Sequence, residues 1–283
     1  MPRPQAAGDA LSRDVEYEGR DFVRIADLLC RLSGIRMPDS NEALVFSRLA
    51  RRVRNAGFGR FEDYIDHVSR AENREECAEM VAALTTNTTR FFREDYHYDI
   101  LARDLVPRLA DTARGGGRVR LWSAGCSSGE EVYSLAAVIL AHFPDAGEHD
   151  LRILATDINR AVLDVAARGV YPSASRDAVP PTYRVFADDA LERDLAVRPE
   201  LKALVTFRYM NFVEPWPVRG PFDAIFCRNV MIYMEEDTQQ KVWAALAKVM
   251  RPGGYLFIGH SERIGPEFRD RFELVGKTTF RRI

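Results

Sequence analysis

The chain contains 283 residues, 46% of them hydrophobic, and carries a formal net charge of −2 at pH 7. This composition predicts a globular protein large enough for two modest domains, and the small net charge excludes a global field that would attract nucleic acid or an anionic membrane. The four cysteines are scattered without a C-x-x-C pair, so we expect neither a metal site nor a disulfide framework. Thiols indicate a reducing compartment, and no segment reaches the ~18 apolar residues of a membrane span, so we expect a cytoplasmic protein.

The first 86 residues contain helix patterns and no strand pattern. Residues 1–16 are polar and are expected to form a flexible tail. From Asp21, apolar residues recur at three- and four-residue steps until Ser33 and Gly34, which predicts a helix. Three further helices are predicted at about 41–55, 61–71 and 75–84. Residues 17–86 are therefore expected to form an all-helical N-terminal domain.

The second predicted helix carries a stripe of positive charge. Between Glu42 and Glu62 the sequence has five arginines and no acidic residue. Four of them share one half of the helical wheel and are expected to face solvent: Arg48, Arg51, Arg52 and Arg54. A solvated face usually interleaves both signs of charge, so we interpret the stripe as a surface for an acidic partner. An ordinary solvated face is the alternative.

From residue 118 onward, short apolar runs alternate with helix patterns. The predicted strands are 119–122, 151–155, 222–226 and 255–258, and the predicted helices are 130–142, 160–167 and 238–250. This alternation predicts an α/β domain with a parallel, doubly wound sheet, and residues 272–283 resemble a closing hairpin. Residues 170–210 break the alternation with prolines and with β-like stretches at 183–186 and 205–209, so we expect a small β insertion there.

A glycine loop joins the first predicted strand to the next helix, within Trp122–Glu131. Gly125 and Gly129 allow the backbone to pass close to a ligand, but their G-x-x-x-G spacing departs from the dinucleotide fingerprint. Glu130 and Glu131 follow at once, and two acids would repel phosphate but suit a cationic sulfonium with an amino-acid tail. The loop therefore favours S-adenosylmethionine over NAD. Acids at a helix start also complement the helix dipole, which is the simpler explanation for either one alone.

Polar residues also follow other predicted strands. Asp157 ends the second strand, where an acid can accept both ribose hydroxyls or can cap the following helix. Arg228 and Asn229 lie just past a buried strand, at the edge where open α/β sheets bind ligands. A strand-end asparagine can also simply turn the chain. Met210 and Asn211 end another β-like run and are candidates to frame the adenine or the sugar.

Four segments together resemble the CheR-type protein-glutamate O-methyltransferases of chemotaxis. They are Leu84–Arg93 (LTTNTTRFFR), the G-x-x-x-G-E-E loop, Phe222–Tyr233 and Gly259–Glu262 (GHSE). The likeness runs from about Phe22 to Phe280. It implies a Rossmann-like class I methyltransferase domain, residues 87–283, with a small β-subdomain, preceded by an all-helical substrate-recognition domain. Cys126 departs from the small apolar residues expected in the loop.

The resemblance implies S-adenosylmethionine as the cofactor and S-adenosylhomocysteine as the product. It adds cofactor-binding roles for Asn87, Thr89, Arg93, Glu131, Asp157, Met210, Asn211, Arg228 and Asn229 to the role of Gly125 in the loop. It also implies that Arg93 and Tyr233 lie nearest the transferring methyl group, as catalytic residues. Without the resemblance, Asn87 would be interpreted as part of a helix N-cap cluster, and Tyr233 as a packing aromatic after the strand.

The resemblance further implies that the arginine-rich helix binds the cytoplasmic helical region of chemotaxis receptors. We expect a monomer with no nucleic-acid partner and no direct membrane insertion. In some family members the β-subdomain binds a C-terminal receptor peptide through a glycine-containing loop. Residues 187–197 here are charged and lack glycine, so we expect a member that does not need this tether.

The implied reaction is an in-line displacement on a sulfonium methyl group. A glutamate with a pKa of about 4.3 is already ionised near neutral pH, so no general base is required. The five histidines form no catalytic arrangement in the sequence. Two rival classes are an NAD-dependent oxidoreductase, which the glycine loop disfavours, and a docking module that keeps the pocket without catalysis, which Arg93 and Tyr233 disfavour. Methylation of a small molecule or of nucleic acid is also disfavoured, because no surface of interleaved aromatic and basic residues is visible.

Overall fold

The computed structural model describes residues 15–188 and 194–283. In this part of the chain, no helix is both long and apolar enough to cross a membrane. The chain divides into two compact units: the first ends at Leu84, and the second comprises Thr85–Ile283 together with Ser33–Ile35. The expected tail lies outside the described residues up to residue 14. Its last residue, Glu16, forms a parallel bridge with Arg60 and so belongs to the first unit.

From residue 15 onward, the first unit contains four α-helices, all where the apolar spacing predicts them. They are α1 (Gly19–Ser33), α2 (Glu42–Asn55), α3 (Phe61–Val68) and α4 (Arg74–Leu84). Val45, Leu49 and Val53 of α2 are fully buried, as are Phe61 and Tyr64 of α3. Burying each of these side chains stabilises the fold by roughly 1.5–3 kcal/mol. The helical spacing of such residues is therefore the main sequence signal for these helices.

The second unit is an α/β domain. Its helices are α5 (Tyr96–Ile100), α6 (Val106–Arg114), α7 (Glu130–His142), α8 (Arg160–Arg168), α9 (Pro199–Leu204) and α10 (Glu236–Val249). Its strands are β1 (Val119–Ala124), β2 (Leu151–Asp157), β3 (Val170–Pro172), β4 (Ala187–Asp188), β5 (Asp194–Val197), β6 (Val205–Tyr209), β7 (Phe222–Cys227), β8 (Met250–Ile258), β9 (Phe272–Gly276) and β10 (Thr279–Arg282). A π-helical stretch, Leu101–Leu105, joins α5 to α6.

Seven strands form the main sheet in the order β6-β2-β1-β7-β8-β10-β9. The five from β6 to β8 are parallel, and β10 and β9 close the sheet as an antiparallel pair. The chain runs outward from β1 through β2 to β6 and then returns to β7 on the other side of β1. This reversal makes the carboxyl ends of β1 and β7 the switch point at which open α/β sheets bind ligands.

Side chains alternate between the two faces of the main sheet. In β1, Leu121 packs on one face and Trp122 on the other; in β7, Phe226 and Cys227 divide in the same way. A strand places successive side chains on opposite faces. Both faces are apolar because helices cover both sides, as parallel sheets require. The strands are therefore continuous apolar runs, which is the pattern by which the sequence identifies them.

The expected β insertion at 170–210 is smaller than predicted. β3, β5 and β4 form a separate three-stranded sheet, but β6 pairs in parallel with β2 and belongs to the main sheet. The stretch 183–186 is not a strand, because it lies in a 3-10 helix that Pro181 begins, where the fixed φ of proline suits a turn. Residues 189–193, within the stretch on which the tether prediction depends, lie outside the described residues.

Candidate functional site

The polar residues predicted for the site gather at one edge of the main sheet. The glycine loop follows β1, Asp157 is the last residue of β2, and Arg228 and Asn229 come directly after β7. Because β1, β2 and β7 are parallel neighbours, their carboxyl ends lie side by side. The candidate site is thus built at the switch point of the sheet.

The glycine loop adopts a conformation that only glycine tolerates well. Gly125 and Gly129 have φ angles of 89° and 97°, in the left-handed region. A Cβ atom on Gly125 would lie 2.4 Å from Cγ2 of Val230, and one on Gly129 would lie 2.8 Å from Cβ of Ala166. Between the two glycines, Cys126 is buried. The loop therefore forms a tight backbone cradle whose shape depends on both glycines.

Asp157 faces this cradle through backbone hydrogen bonds. One carboxylate oxygen accepts from the amide of Ser127 and the other from the amide of Asn159, both at 2.9 Å. Asn159, not Asp157, caps α8 with its side chain, which excludes the capping explanation for the acid. Burial raises the pKa of Asp157, and the backbone amides oppose that shift. Each oxygen has two lone-pair directions, so each can accept one more hydrogen bond from a ligand.

Other predicted cofactor residues adjoin Asp157. The carbonyl of Asn87 accepts from the Ser127 hydroxyl at 2.8 Å, and the Met210 amide donates to the Asp157 carbonyl at 3.0 Å. Asn211 is buried, and its side chain accepts from the amide two residues later and donates to Glu214. Met210 thus contacts the end of β2 directly, Asn87 contacts the glycine loop, and the cited contacts of Asn211 are with the residues that follow it.

A buried ion pair connects the glycine loop to the end of β7. Nε of Arg228 lies 2.9 Å from a carboxylate oxygen of Glu131, close enough for an ion pair although the N–H is not aligned for a hydrogen bond. The other oxygen of Glu131 accepts from the Ser123 hydroxyl at 2.7 Å. Burial raises the pKa of Glu131, and the charge of Arg228 opposes that shift. Arg228 also donates to the carbonyl of Arg93, so this arginine contacts two other predicted residues, Glu131 and Arg93.

Sequence reasoning missed Glu94, which accepts hydrogen bonds from three surrounding side chains. They are Asn229 at 3.4 Å, Tyr96 at 3.2 Å and His260 at 2.9 Å. Burial alone would raise the pKa of Glu94, but the His260 hydrogen bond and the charge of Arg228 lower it to about 2. Its position directly after the LTTNTTRFFR segment is a signal that could have identified it.

His97 was also missed, and here the sequence offers no signal. Its Nδ1 lies 3.1 Å from Nη1 of Arg228, and its Nε2 lies 3.0 Å from the Thr278 hydroxyl. Because Arg228 can only donate, we assign the tautomer with the proton on Nε2. Burial, together with the charge of Arg228, lowers the pKa of His97 to about 3. The imidazole is therefore neutral across the physiological pH range.

Glu262, of the GHSE segment, holds the turn that follows β7. Its carboxylate accepts from the backbone amides of Asn229, Val230, Met231 and Gly259. Asn229 has a φ angle of 58°, a left-handed conformation that asparagine tolerates better than most residues. Glu262 therefore fixes the backbone that presents Arg228 and Asn229.

A cleft of about 530 Å³ opens beside these residues. It is lined by Thr88, Thr89, Arg90, Phe92, Arg93, Glu94, Asp95 and His260. Phe92 and Glu94 have φ angles of 51° and 58°, so a strained turn flanks Arg93 on both sides. The Arg93 guanidinium donates to the Thr88 carbonyl at 3.0 Å. Of the predicted site residues, the cleft thus contains Thr89 and Arg93.

Tyr233 lies in the 3-10 turn Met231–Tyr233, shortly after Arg228. The side chain is 37% exposed, and its hydroxyl makes no hydrogen bond to the residues that the structure describes. This exposure does not favour the alternative interpretation of Tyr233 as a packing aromatic after the strand.

The arginine stripe of α2 is only partly a solvent-facing surface. Arg52 forms a two-pronged ion pair with Glu76 at 2.7 and 2.8 Å, and Arg48 donates to the Leu84 carbonyl. Arg51 and Arg54 are exposed. The prediction that Arg48 and Arg52 face solvent was wrong, because both lie at the edge of the buried stripe, where long side chains reach neighbouring helices.

Comparison with protein families gives matches over nearly the whole described chain. Residues 87–281 match the model of the CheR methyltransferase, SAM binding domain, and residues 20–85 match that of the CheR methyltransferase, all-alpha domain. Among solved structures, the DszA carbon methyltransferase aligns with 67% of this chain and 36% of its own, at 16% identity and a TM-score of 0.37. That structural likeness is too distant to support any argument.

Curated relatives match over most of their own length. A probable chemotaxis protein methyltransferase of Rhizobium etli is 40% identical over 88% of this chain and 94% of its own. Chemotaxis protein methyltransferase 2 of Pseudomonas aeruginosa is 39% identical over 89% of each chain. The chemotaxis protein methyltransferase of Escherichia coli is 36% identical over 92% of this chain and 89% of its own.

Proposed function

Because this chain belongs to the CheR methyltransferase family, we propose that it methylates glutamate side chains of chemotaxis receptors, giving methyl esters. It is an S-adenosylmethionine-dependent methyltransferase of chemotaxis; the proposal adds the acceptor. The observation that carries it is the cleft that Arg90 and Arg93 line. Their guanidinium groups complement a carboxylate acceptor, and they lie beside two acids, Glu94 and Asp95, that line the same cleft.

The residues at the sheet edge fit the cofactor. The left-handed glycines leave a cradle that a Cβ atom would fill, and the Asp157 oxygens each retain one acceptor position for a ribose hydroxyl. We assign the methionine side to Glu131 and Arg228, with Arg93, Asn87 and Thr89 alongside, and the nucleoside side to Met210, Asn211 and Asn229. When bound, the cofactor supplies a methyl group on a positively charged sulfur. The acidic side chains at the cradle suit that charge.

The reaction needs alignment more than proton transfer. The acceptor carboxylate is already ionised at neutral pH, and His97, the buried histidine of the site, is neutral with both ring nitrogens hydrogen-bonded. Rate enhancement then comes from holding oxygen, methyl and sulfur in line and from excluding water.

Arg93 and Tyr233 are assigned to the acceptor side. Arg93 donates one hydrogen bond to the Thr88 carbonyl, so several of its five N–H groups remain for the substrate. Charge is neutralised as the methyl group moves, so a tight ion pair would stabilise the ground state more than the transition state. Arg93 should therefore orient the carboxylate, while the exposed hydroxyl of Tyr233 lines the methyl path.

We assign receptor recognition to the exposed arginines of α2. Arg51 and Arg54 are exposed and suit a receptor helix that presents several glutamates, through guanidinium–carboxylate contacts that salt weakens. Arg48 and Arg52 support this surface, since their own contacts lie within the first unit. We further propose that the protein acts in the cytoplasm as a monomer.

The test uses S-adenosylmethionine with a tritiated methyl group and purified cytoplasmic fragments of receptors from the source organism. Glutamate methyl esters release labelled methanol in base, whereas methyl groups on nitrogen or carbon do not. We expect base-labile label on the receptor, and its loss when the acceptor glutamates are replaced by alanine. Label that survives base treatment would contradict the proposal, and cofactor binding without any transfer would favour a docking module.

A further inference from the structure

The mechanism described above leaves one pair of side chains in the cleft unused. Nδ1 of His260 lies 2.9 Å from a carboxylate oxygen of Glu94, and the His260 amide lies 3.3 Å from the same oxygen. The Glu94 side chain is 9% exposed and that of His260 is 57% exposed. The pair therefore joins a buried carboxylate to an imidazole at the wall of the cleft that contains Arg93.

The contacts fix how the imidazole can act. An ionised carboxylate only accepts hydrogen bonds, so Nδ1 of His260 carries the proton that it donates to Glu94. Nε2 has no hydrogen-bond partner in the part of the chain that the structure describes. The position of Glu94 is set in turn by Asn229 and Tyr96 and by its left-handed backbone, which persists only where surrounding contacts hold it.

We propose that Glu94 and His260 form a carboxylate–histidine pair that positions the acceptor carboxylate for methyl transfer. In the complex with substrate, the imidazole lies between two carboxylates, Glu94 and the acceptor, and this proposal includes a proton on each of its nitrogens. Nε2–H then donates to the carboxylate oxygen that is not methylated, and Glu94 acts through His260 as a positioning residue. This inference rests on the proposed function, since it assumes a carboxylate acceptor.

The charge of the pair explains why it suits this reaction. A bond forms between the second carboxylate oxygen and the methyl carbon as the carbon–sulfur bond breaks, and the electron pair of that bond goes to sulfur. No proton moves, so His260 keeps both of its protons throughout. An unpaired cation would bind the charged substrate more tightly than the neutral ester and slow the reaction. Glu94 cancels the charge of the imidazolium, so the pair supplies a hydrogen bond with little net charge.

The test compares His260→Ala with His260→Gln, whose amide can still donate. Loss of a hydrogen bond to a charged group should lower kcat/KM for a receptor cytoplasmic fragment by about 10- to 100-fold in His260→Ala. His260→Gln should recover most of that loss. The affinity for S-adenosylhomocysteine, measured by calorimetry, should stay unchanged in both. His142→Gln is the matched control, because this exposed histidine ends α7, roughly 17 Å along the helix from Glu131.

Glu94→Gln tests the second half of the pair. It should lower kcat/KM in the native background and have a much smaller effect when His260 is already alanine. Equal effects in the two backgrounds would show that Glu94 does not act through His260. A His260→Ala enzyme with native kcat/KM, or a His260→Gln enzyme no better than His260→Ala, would overturn the inference. A native enzyme that methylates no receptor fragment would instead refute the proposed function.

Discussion

Two buried carboxylates at the same edge of the sheet differ in how many of their hydrogen-bond acceptor positions the protein itself occupies. Asp157, at the end of β2, accepts from two backbone amides. Glu262, which holds the turn after β7, accepts from four. Two carboxylate oxygens have about four acceptor positions in all. Asp157 therefore keeps two for a ligand, whereas Glu262 keeps none.

This difference distinguishes an acid that can bind a ligand from an acid that only holds the local backbone. Burial alone does not identify a ligand-binding acid, because Glu262, at 3% exposed, is more buried than Asp157, at 9%. The acceptor positions left over after the backbone has been satisfied are the better criterion. Glu262 should matter for stability, and Asp157 should matter for cofactor affinity.

The largest expected effect is that of Glu262→Ala on stability. Four backbone amides would lose their acceptor, and each buried unsatisfied group costs about 1–3 kcal/mol, so the free energy of unfolding should fall by at least about 4 kcal/mol. Urea unfolding followed by circular dichroism measures this. Glu267→Ala, at an exposed position in the same segment, is the control. A loss under about 1 kcal/mol for Glu262→Ala would contradict the supporting role.

Asp157→Ala should act mainly on binding. Loss of two hydrogen bonds from ribose hydroxyls to a charged group should weaken S-adenosylhomocysteine binding by about 100-fold or more, as measured by isothermal calorimetry. Asp164→Ala, on the exposed side of α8, should bind as the native protein does. Native affinity in a folded Asp157→Ala protein would remove Asp157 from the site.

Gly125→Ala tests the cradle between these two acids. The φ angle of 89° and the 2.4 Å approach to Val230 should together cost about 1–3 kcal/mol of stability and weaken cofactor binding. Adding Val230→Ala removes the clash but not the backbone strain. The double variant should therefore recover part of the lost affinity, and complete recovery would show that the left-handed conformation is unimportant.

His97, which contacts Arg228 at this edge of the sheet, should make the free energy of unfolding depend on pH. Its pKa is about 3 in the folded protein, against an ordinary value of 6.5, so the unfolded chain binds a proton at a higher pH than the folded one. The stability that neutral His97 provides is present above pH 6.5 and lost as the pH falls toward 3, by about 1 kcal/mol per pH unit. Urea unfolding at several pH values should show a shallower decline for His97→Gln than for the native protein. Identical slopes would contradict the assignment.

The smallest effect is expected at exposed charges, which contrast with both buried acids. Arg51→Ala with Arg54→Ala should raise KM for a receptor fragment a few-fold and reduce its salt dependence, since exposed ion pairs contribute little and are screened. kcat and stability should stay close to native values. Arg74→Ala, exposed on α4, is the control. An unchanged KM would remove the α2 surface from receptor binding.

Much of this molecule could be predicted because its signals are local. The period of apolar residues identified α1, α2 and α7, and the apolar runs identified the parallel strands, since both follow from burial of one stripe or of both faces. The sheet to which β6 belongs could not be predicted, because pairing with β2 joins residues about 50 positions apart and leaves no mark on either strand alone.

The same contrast between local signals and long-range partners applies to the candidate site. The placement of Gly125, Asp157 and Arg228 at one edge of the sheet could be predicted because strand ends and glycine spacing mark these residues. His97 could not, because its importance comes from Arg228, a partner more than 100 residues away. Glu94 was missed although it directly follows the LTTNTTRFFR segment, since its partner His260 is equally distant in the chain. Arg52 was misplaced for the related reason that a helical wheel cannot show the acid on a neighbouring helix.

The cysteines differ in burial between the two units, so the rate of thiol modification can report on each unit separately. Cys126, within the glycine loop, and Cys227, at the end of β7, are buried, and burial raises the pKa of both thiols well above the ordinary value. Cys30 on α1 and Cys77 on α4 are only half-buried. Alkylating reagents attack the accessible thiolate, so labelling of the folded protein should begin in the first unit. The rate at which Cys126 or Cys227 is modified would then measure how often the second unit opens. A bound cofactor should slow this modification.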